Sequence, residues 1–342
     1  MSASSSIVGS TAGEPTRERP RRTGPHRLTI LQVVPRLGIG GVERGTVEVA
    51  EAIVQAGGRA IIATEGGQLA QKALRAGAEI VVMNTATKNP LNIWQNAGVL
   101  ERLIRAEGID LVHARSRAPA WSAKWAAERC RTPFVTTYHG AYSEGFPLKR
   151  LYNSVMASGR PVIAISDFIR DLIIARHHVD PADIVVIPRG ADTAVFSEDM
   201  VSNERAASLA DAWGLLDDPR PIVMLPGRLT RWKGAETLID AAAILRARQA
   251  ARQAEPDFLV LIVGDDGGSG FDLKLRRRIA AAGVGDFVHL TGATTDMAAA
   301  MKLASVVVSA STAPEAFGRV AVEAQAMSRP VIATDHGGAR ET

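Results

Sequence analysis

The feature that most constrains this chain is an alternation repeated along its length. Short, predominantly apolar runs, at 28–34, 60–64, 79–83, 111–113, 134–137 and 162–165, are separated by longer segments. Those segments, 42–56 and 93–105 among them, carry apolar residues at steps of three and four. A strand that is apolar on both sides needs cover on both faces, and helices between the strands provide it. The pattern therefore predicts a parallel α/β sheet. This first unit ends near 184–187. A second series follows, with strands at 222–225, 258–263, 287–290, 306–308 and 331–333 and helices at 235–251, 273–282 and 319–327.

Two such series in 342 residues suit two α/β domains of ordinary size. The expected fold class is α/β, two Rossmann-like domains facing each other across a cleft. The divisions are a disordered basic tail at 1–27, a first domain at 28–196, a polar linker with two Asp-rich turns at 197–220, and a second domain at 221–342. The second domain reads as incomplete, because no covering helix follows the strand at 331–333. Ligands of open parallel sheets bind at the carboxyl ends of the strands, and cleft sites favour domain interfaces. Chemistry is therefore sought in the loops that follow each strand.

Charge narrows the partners. The formal charge is +4, and residues 1–27 hold five Arg against two Glu, leaving about +1 for the remainder. A basic tail on a nearly neutral body is not a nucleic-acid footprint. The tail lacks the apolar stretch of a signal peptide, and no apolar run reaches the length of a membrane span. One cysteine, Cys130, excludes an internal disulfide and fits a reducing compartment. The expected location is cytoplasmic.

The loops supply the candidate site. After the first strand, PRLGIGGVERG places Gly38, Gly40 and Gly41 before a helix. This reads as a tight turn, a phosphate or acceptor loop, or a degenerate dinucleotide site; Glu43 stands where the third fingerprint glycine would be, and Glu65 can mimic the ribose-binding acid. His113 and His139 each close an apolar strand, and each is open to a structural or a functional reading. In PGRLTRWKG, Arg228 and Lys233 sit in a strand-to-helix loop and suit a diphosphate, Arg as a fork and Lys as a point charge. In APEAFGRVAVEAQ, Glu315 precedes a helix and Glu323 lies inside it. Phe317, Gly318, Arg319 and Val320 form the helix start, whose free N–H groups can hold phosphate oxygens. The alternative for both segments is a solvated basic loop and an acid-favouring helix start.

PGRLTRWKG, VIPRGADTAVF (186–196), IVGDD (262–266) and EAFGRVAVEA together resemble the GT-B glycosyltransferases of the large retaining family 4 type, from about Leu28 to the last residue. The Glu-x7-Glu element with its upstream Arg and Lys is specific as a set; GIGG and TTYHG agree but are looser. The resemblance implies a first domain on the acceptor side and a second that binds the nucleotide sugar. It implies that Arg228 and Lys233 grip the donor diphosphate, that Glu323 binds the ribose and that Glu315 contacts the donor sugar. By the same resemblance, His139 lies near the reacting centre, Gly40 and Gly41 close over phosphate or acceptor, and Asp265 and Gly292 lie toward the nucleotide. Glu341, in GGARE, falls at a recurrent family position.

The implied activity is transfer of a sugar from a nucleotide-diphosphate donor to an acceptor hydroxyl with retention, without metal and with no cofactor beyond that co-substrate. The implied partners are the donor and a glycan or lipid-linked acceptor from polysaccharide biosynthesis. Asp265 and Asp266 are adjacent and offer poor metal-cage spacing. Three rivals remain: a sugar-nucleotide epimerase, an NAD-dependent dehydrogenase, and a non-catalytic nucleotide-sugar-binding module. The stretch 145–158, with Phe146, Leu148, Leu151, Tyr152 and Met156 beside Lys149 and Arg150, is expected to be a core-packing helix with a cationic edge; a peripheral contact at the inner membrane face is the alternative. LKLRRR at 273–278 reads as the wet face of a helix.

Overall fold

The computed structural model describes residues 27–38, 40–145, 147–251 and 257–342. The tail assigned to 1–27 therefore lies outside the described residues except for Arg27, and Phe146 lies outside them too.

Two parallel sheets form, as the alternation predicts. The first comprises β1 (Thr29–Val33), β2 (Arg59–Thr64), β3 (Glu79–Val82), β4 (Leu111–Ala114), β5 (Phe134–Tyr138), β6 (Val162–Ala164) and β7 (Ile184–Val186), in the order β3-β2-β1-β4-β5-β6-β7. Its helices include α1 (Gly41–Gln55), α2 (Ala70–Arg75), α3 (Pro90–Glu107), α4 (Arg117–Cys130), α5 (Pro147–Ser154) and α6 (Asp167–His177). Leu31, Val33, Val112, Ala114 and Val162 are fully buried, as strands covered on both faces require.

The second sheet runs β10-β9-β8-β11-β12, from β8 (Ile222–Pro226), β9 (Leu259–Val263), β10 (Val288–Gly292), β11 (Val306–Ser309) and β12 (Val331–Ala333). It repeats the order of the first five strands of its partner, with the switch point between β8 and β11 matching that between β1 and β4. Around it lie α8 (Ala235–Ala250), α9 (Phe271–Ala282), α10 (Met297–Leu303) and α11 (Arg319–Ala326). The polar stretch 197–220 carries one more helix, α7 (Asn203–Ala212), started by the Ser202 side chain accepting from Arg205 N. Its Ala206 packs into the second core with Val201 and Phe196. Its small apolar residues fall between charged ones, which is why the segment reads as polar although one face is buried.

Sequence and structure differ at α5. Leu148 is 72% and Leu151 61% exposed, so these residues do not pack into a core. Only the turn beyond the helix does so, through Val155 and Met156. Leu148 and Leu151 lie on α5 and Val155 and Met156 on the turn after it, and only the second pair turns inward.

The lobes meet along one seam. Phe317, from the loop before α11, is buried in the first lobe's core with Tyr138, Ile165 and Ile169. Ser166 Oγ donates to Ala316 O at 2.6 Å. Glu341 accepts from Asp167 N and Phe168 N at 2.7 and 2.8 Å, so a second-lobe carboxylate caps the first-lobe helix α6. The start of α11 is thereby held against the first lobe.

Candidate active site

A cavity of about 370 Å³ opens between the lobes at the carboxyl ends of both sheets. Its lining contains His139, Glu315, Arg228, Lys233, Gly40, Gly41, Phe317, Gly318, Arg319, Val320, Glu323 and Asp265. Of the residues singled out from sequence, Gly292 stands one place off; its neighbours Ala293 and Thr294 line the cavity, and its carbonyl accepts from Gly264 N.

Close backbone packing sets the second-lobe wall. A Cβ at Gly264 would lie 1.8 Å from Gly227 O, and one at Gly234 would lie 1.8 Å from Ala310 O. Only glycine permits these approaches, both at positive φ, and they fasten the loop carrying Arg228 and Lys233 to its neighbours. Lys233 Nζ then donates to Glu315 Oε1 at 2.5 Å and lies over the Trp232 ring. Ser311 Oγ donates to the same carboxylate oxygen at 2.6 Å. Arg228 is exposed and makes no ion pair among the described residues, which leaves its fork open to the cavity. Gly337 and Gly338 back the Glu315 loop, where a Cβ would meet Glu315 O and Ala316 O at 2.6 and 2.4 Å.

Glu323 is buried at 5% exposure, with Arg319 Nε at 3.3 Å and Arg44 Nη1 at 3.8 Å. Burial raises its pKa, against the opposing pull of Arg319 and Arg44. Arg319 also reaches across the seam to Glu48 Oε1 at 2.8 Å. Asp265 is exposed, and its carboxylate accepts from Gly267 N. Asp266 instead caps α9 by accepting from Phe271 N at 2.8 Å.

The first-lobe wall is built differently. His139 Nδ1 lies 2.6 Å from Arg189 Nη2. A guanidinium has only donors, so Nδ1 accepts and the ring proton sits on Nε2. Nε2 is buried and finds no partner among the described residues. Burial, followed by the charges of Arg115 and Arg189, depresses the His139 pKa far below the usual histidine range. The imidazole is thus neutral and presents an N–H. His113 is spent structurally, with Nε2 2.7 Å from Thr137 Oγ1. Glu65 is held by Arg36 Nε at 2.9 Å and Ala86 N at 3.1 Å, and it does not line the cavity.

Two family models match the chain: Glycosyltransferase Family 4 over residues 39–195 and Glycosyl transferases group 1 over residues 211–342. A solved glycosyltransferase from Rickettsia africae ESF-5 is 36% identical, superposes with a TM-score of 0.81, and is matched over 93% of this chain and 82% of that one. The chain belongs to glycosyltransferase family 4. Its architecture is the GT-B pair of Rossmann-like lobes, shared with Anabaena Alr3699/HepE solved in complex with UDP-glucose (26% identity, TM-score 0.76, 92% of this chain and 82% of that one). A D-inositol 3-phosphate glycosyltransferase of Salinispora arenicola is 33% identical over 71% of this chain. The chain spans little more than half of that relative's length, 57%.

Membership in the family leaves Arg189, Arg44 and Arg115 without a reading from sequence. Arg189 and Arg44 line the cavity, and Arg115 lies directly behind Arg189. Arg189 sits in the VIPRGADTAVF segment, where one cation after a strand end was the available signal. Arg115 follows β4 one place beyond the strand, at the end where ligands bind. Nothing in local spacing shows that these three converge.

Proposed function

We propose that this chain transfers a glycosyl group from a nucleoside-diphosphate sugar to an acceptor hydroxyl with retention of configuration and without a metal ion. One observation carries the reading: Lys233, Arg228 and the opening turn of α11 converge on one cavity between Glu315 and Glu323. The cations and the α11 N–H groups receive the diphosphate, Glu323 the ribose hydroxyls, and Glu315 the donor-sugar hydroxyls.

The C1–O bond to the diphosphate breaks toward an oxocarbenium-like state while negative charge grows on the leaving group. Lys233, Arg228 and the helix start stabilise that charge as it develops. The acceptor oxygen bonds to C1 on the face the diphosphate leaves, and its proton passes to a departing phosphate oxygen. The His139 Nε2–H donates to a substrate oxygen near C1; with Nδ1 engaged by Arg189, this ring serves as a donor and not as a base.

The acceptor is a glycan or lipid-linked precursor, handled at the cytoplasmic face. No helix among the described residues is long and apolar enough to cross a membrane. Leu148 and Leu151, exposed beside Lys149 and Arg150, are the surface available for a peripheral contact.

The test is a donor screen, read both as binding and as turnover, followed by Glu315→Ala and Lys233→Ala. Tighter binding of NAD than of nucleoside diphosphates would favour the dehydrogenase. Turnover without acceptor would favour the epimerase. Donor binding with neither transfer nor hydrolysis would leave a binding module.

A further inference from the structure

Among the described residues, ten buried side-chain polar atoms lack a hydrogen-bond partner. Three belong to two residues of the first-lobe wall: Arg115 Nε and Nη2, and His139 Nε2. Guanidinium nitrogens are donors, and the ring nitrogen here is one as well. A cluster of unpaired donors with no acceptor among them is a recipe for an anion.

Helix α1 shows how the donors are brought together. Gly45 is buried, and a Cβ there would lie 2.6 Å from Arg189 Nη1 and 3.1 Å from Arg115 Nη2. Two guanidinium groups thus converge on one stretch of bare helix backbone. Arg115 is 1% exposed, and neither arginine has a carboxylate within ion-pair distance among the described residues. The nearest acid, Glu48, is already engaged by Arg319. Burial, followed by the charge of Arg189, pulls Arg115 down to about 9, and burial, followed by the charge of Arg319, pulls Arg189 down to about 10, so both stay charged at neutral pH. Two desolvated positive charges without counter-charge are costly to fold around, unless a ligand completes them.

We infer that the acceptor carries a phosphate monoester, received by Arg189 with Arg115 reinforcing it from behind. This subsite lies on the first-lobe side of the cavity, apart from the Arg228 and Lys233 diphosphate subsite on the second. The inference rests on the glycosyltransferase reading. A monoester dianion matches the two uncompensated charges and offers three terminal oxygens to forked donors; a carboxylate offers two oxygens and one charge.

The full chain is titrated calorimetrically with inorganic phosphate while UDP saturates the donor side. Phosphate is expected to bind under these conditions. Arg189→Gln is expected to weaken it at least tenfold and to change UDP affinity less than twofold, with Arg189→Lys recovering part of the loss. Lys233→Ala should do the reverse. Arg115→Met is a second variant, expected to weaken phosphate less than Arg189→Gln, with melting curves confirming that each variant folds.

Phosphate that binds only without UDP has entered the diphosphate subsite, and that result overturns the inference; so does phosphate binding untouched by Arg189→Gln. A chain that fails to bind UDP sinks the donor reading instead, and the Arg189→Gln comparison on the unliganded chain still decides the anion site. Glycerol 3-phosphate and vesicles containing phosphatidic acid are then compared as competitors. Displacement by the soluble ester alone marks a soluble acceptor and displacement by both a lipid-borne one, each in support. Displacement by neither counts against the subsite.

Discussion

The two walls of the cleft hold similar numbers of cations and treat them oppositely. On the second-lobe wall, Lys233 is paired with Glu315, Arg319 sits between Glu323 and Glu48, and the cation left open, Arg228, is exposed to water. On the first-lobe wall, Arg115 and Arg189 face each other behind the bare backbone of Gly45, and the one acid nearby is committed elsewhere. The balanced wall is set in shape before any ligand arrives. The unbalanced wall stores a demand for negative charge. A charge paired internally holds geometry, whereas a charge left unpaired in a buried place selects what may enter.

The largest expected effect lies on the balanced wall. If Lys233 stabilises charge developing on the leaving diphosphate, Lys233→Ala should lower the transfer rate about 10²- to 10³-fold, the range seen when one preorganised donor is removed from a transition state. Acceptor KM should stay within about threefold, because that lysine faces the donor. Arg189→Gln should show the opposite split, with acceptor KM rising by a larger factor than the rate at saturation falls. Steady-state kinetics with each substrate varied in turn separate the two. If Lys233→Ala raises acceptor KM and spares the rate, the division of labour between the walls is wrong.

A smaller effect, of unusual sign, belongs to the unbalanced wall. Arg115→Met keeps much of the side chain's volume and removes a buried charge that no carboxylate contacts. Truncating a buried polar side chain ordinarily destabilises. Here the variant should gain on the order of 1–3 kcal/mol, the penalty attached to an unsatisfied buried polar group. Thermal melts in buffer free of polyvalent anions would show a rise of several degrees. Added phosphate should narrow the gap by stabilising the wild type more than the variant. A variant that melts lower in both buffers would mean that the Arg115 stem matters for packing more than its charge costs.

The same contrast explains what the sequence revealed. The sheets were legible because burial on both faces leaves no choice but apolar runs, as in Leu259–Val263. The balanced wall was legible because its chemistry sits in two short segments, Arg228 with Lys233 and Glu315 with Glu323, each spanned by one loop and one helix turn. The unbalanced wall gathers Arg115, His139 and Arg189 from the ends of three strands and sets them beside α1. No local period reports that meeting, and His139 could not be told from His113 until its partners were seen. Helix α7 was hidden for another reason: alanines supply its buried face, and alanine is a weak hydrophobic signal between charged neighbours.

Acidity offers the finest probe, because the walls should respond with opposite signs. His139 stays neutral in the folded chain, while the unfolded chain protonates it near 6.5. As pH falls below about 6.5, the unfolded state takes up the extra proton, so the histidine's contribution is full above that pH and lost below it, by about 1.4 kcal/mol per pH unit. His113, likewise depressed by burial, adds a similar share. Glu323 runs the other way. Burial raises its folded pKa above the ordinary 4.5, so the folded chain takes up this proton first and is relieved of a buried charge as pH falls toward 4.5. Urea denaturation between pH 7 and 5 should therefore show wild-type stability falling. His139→Asn should flatten that decline, and Glu323→Gln should steepen it by removing the compensating proton. Parallel curves for all three chains would mean that neither wall holds its charge in the state derived from its partners.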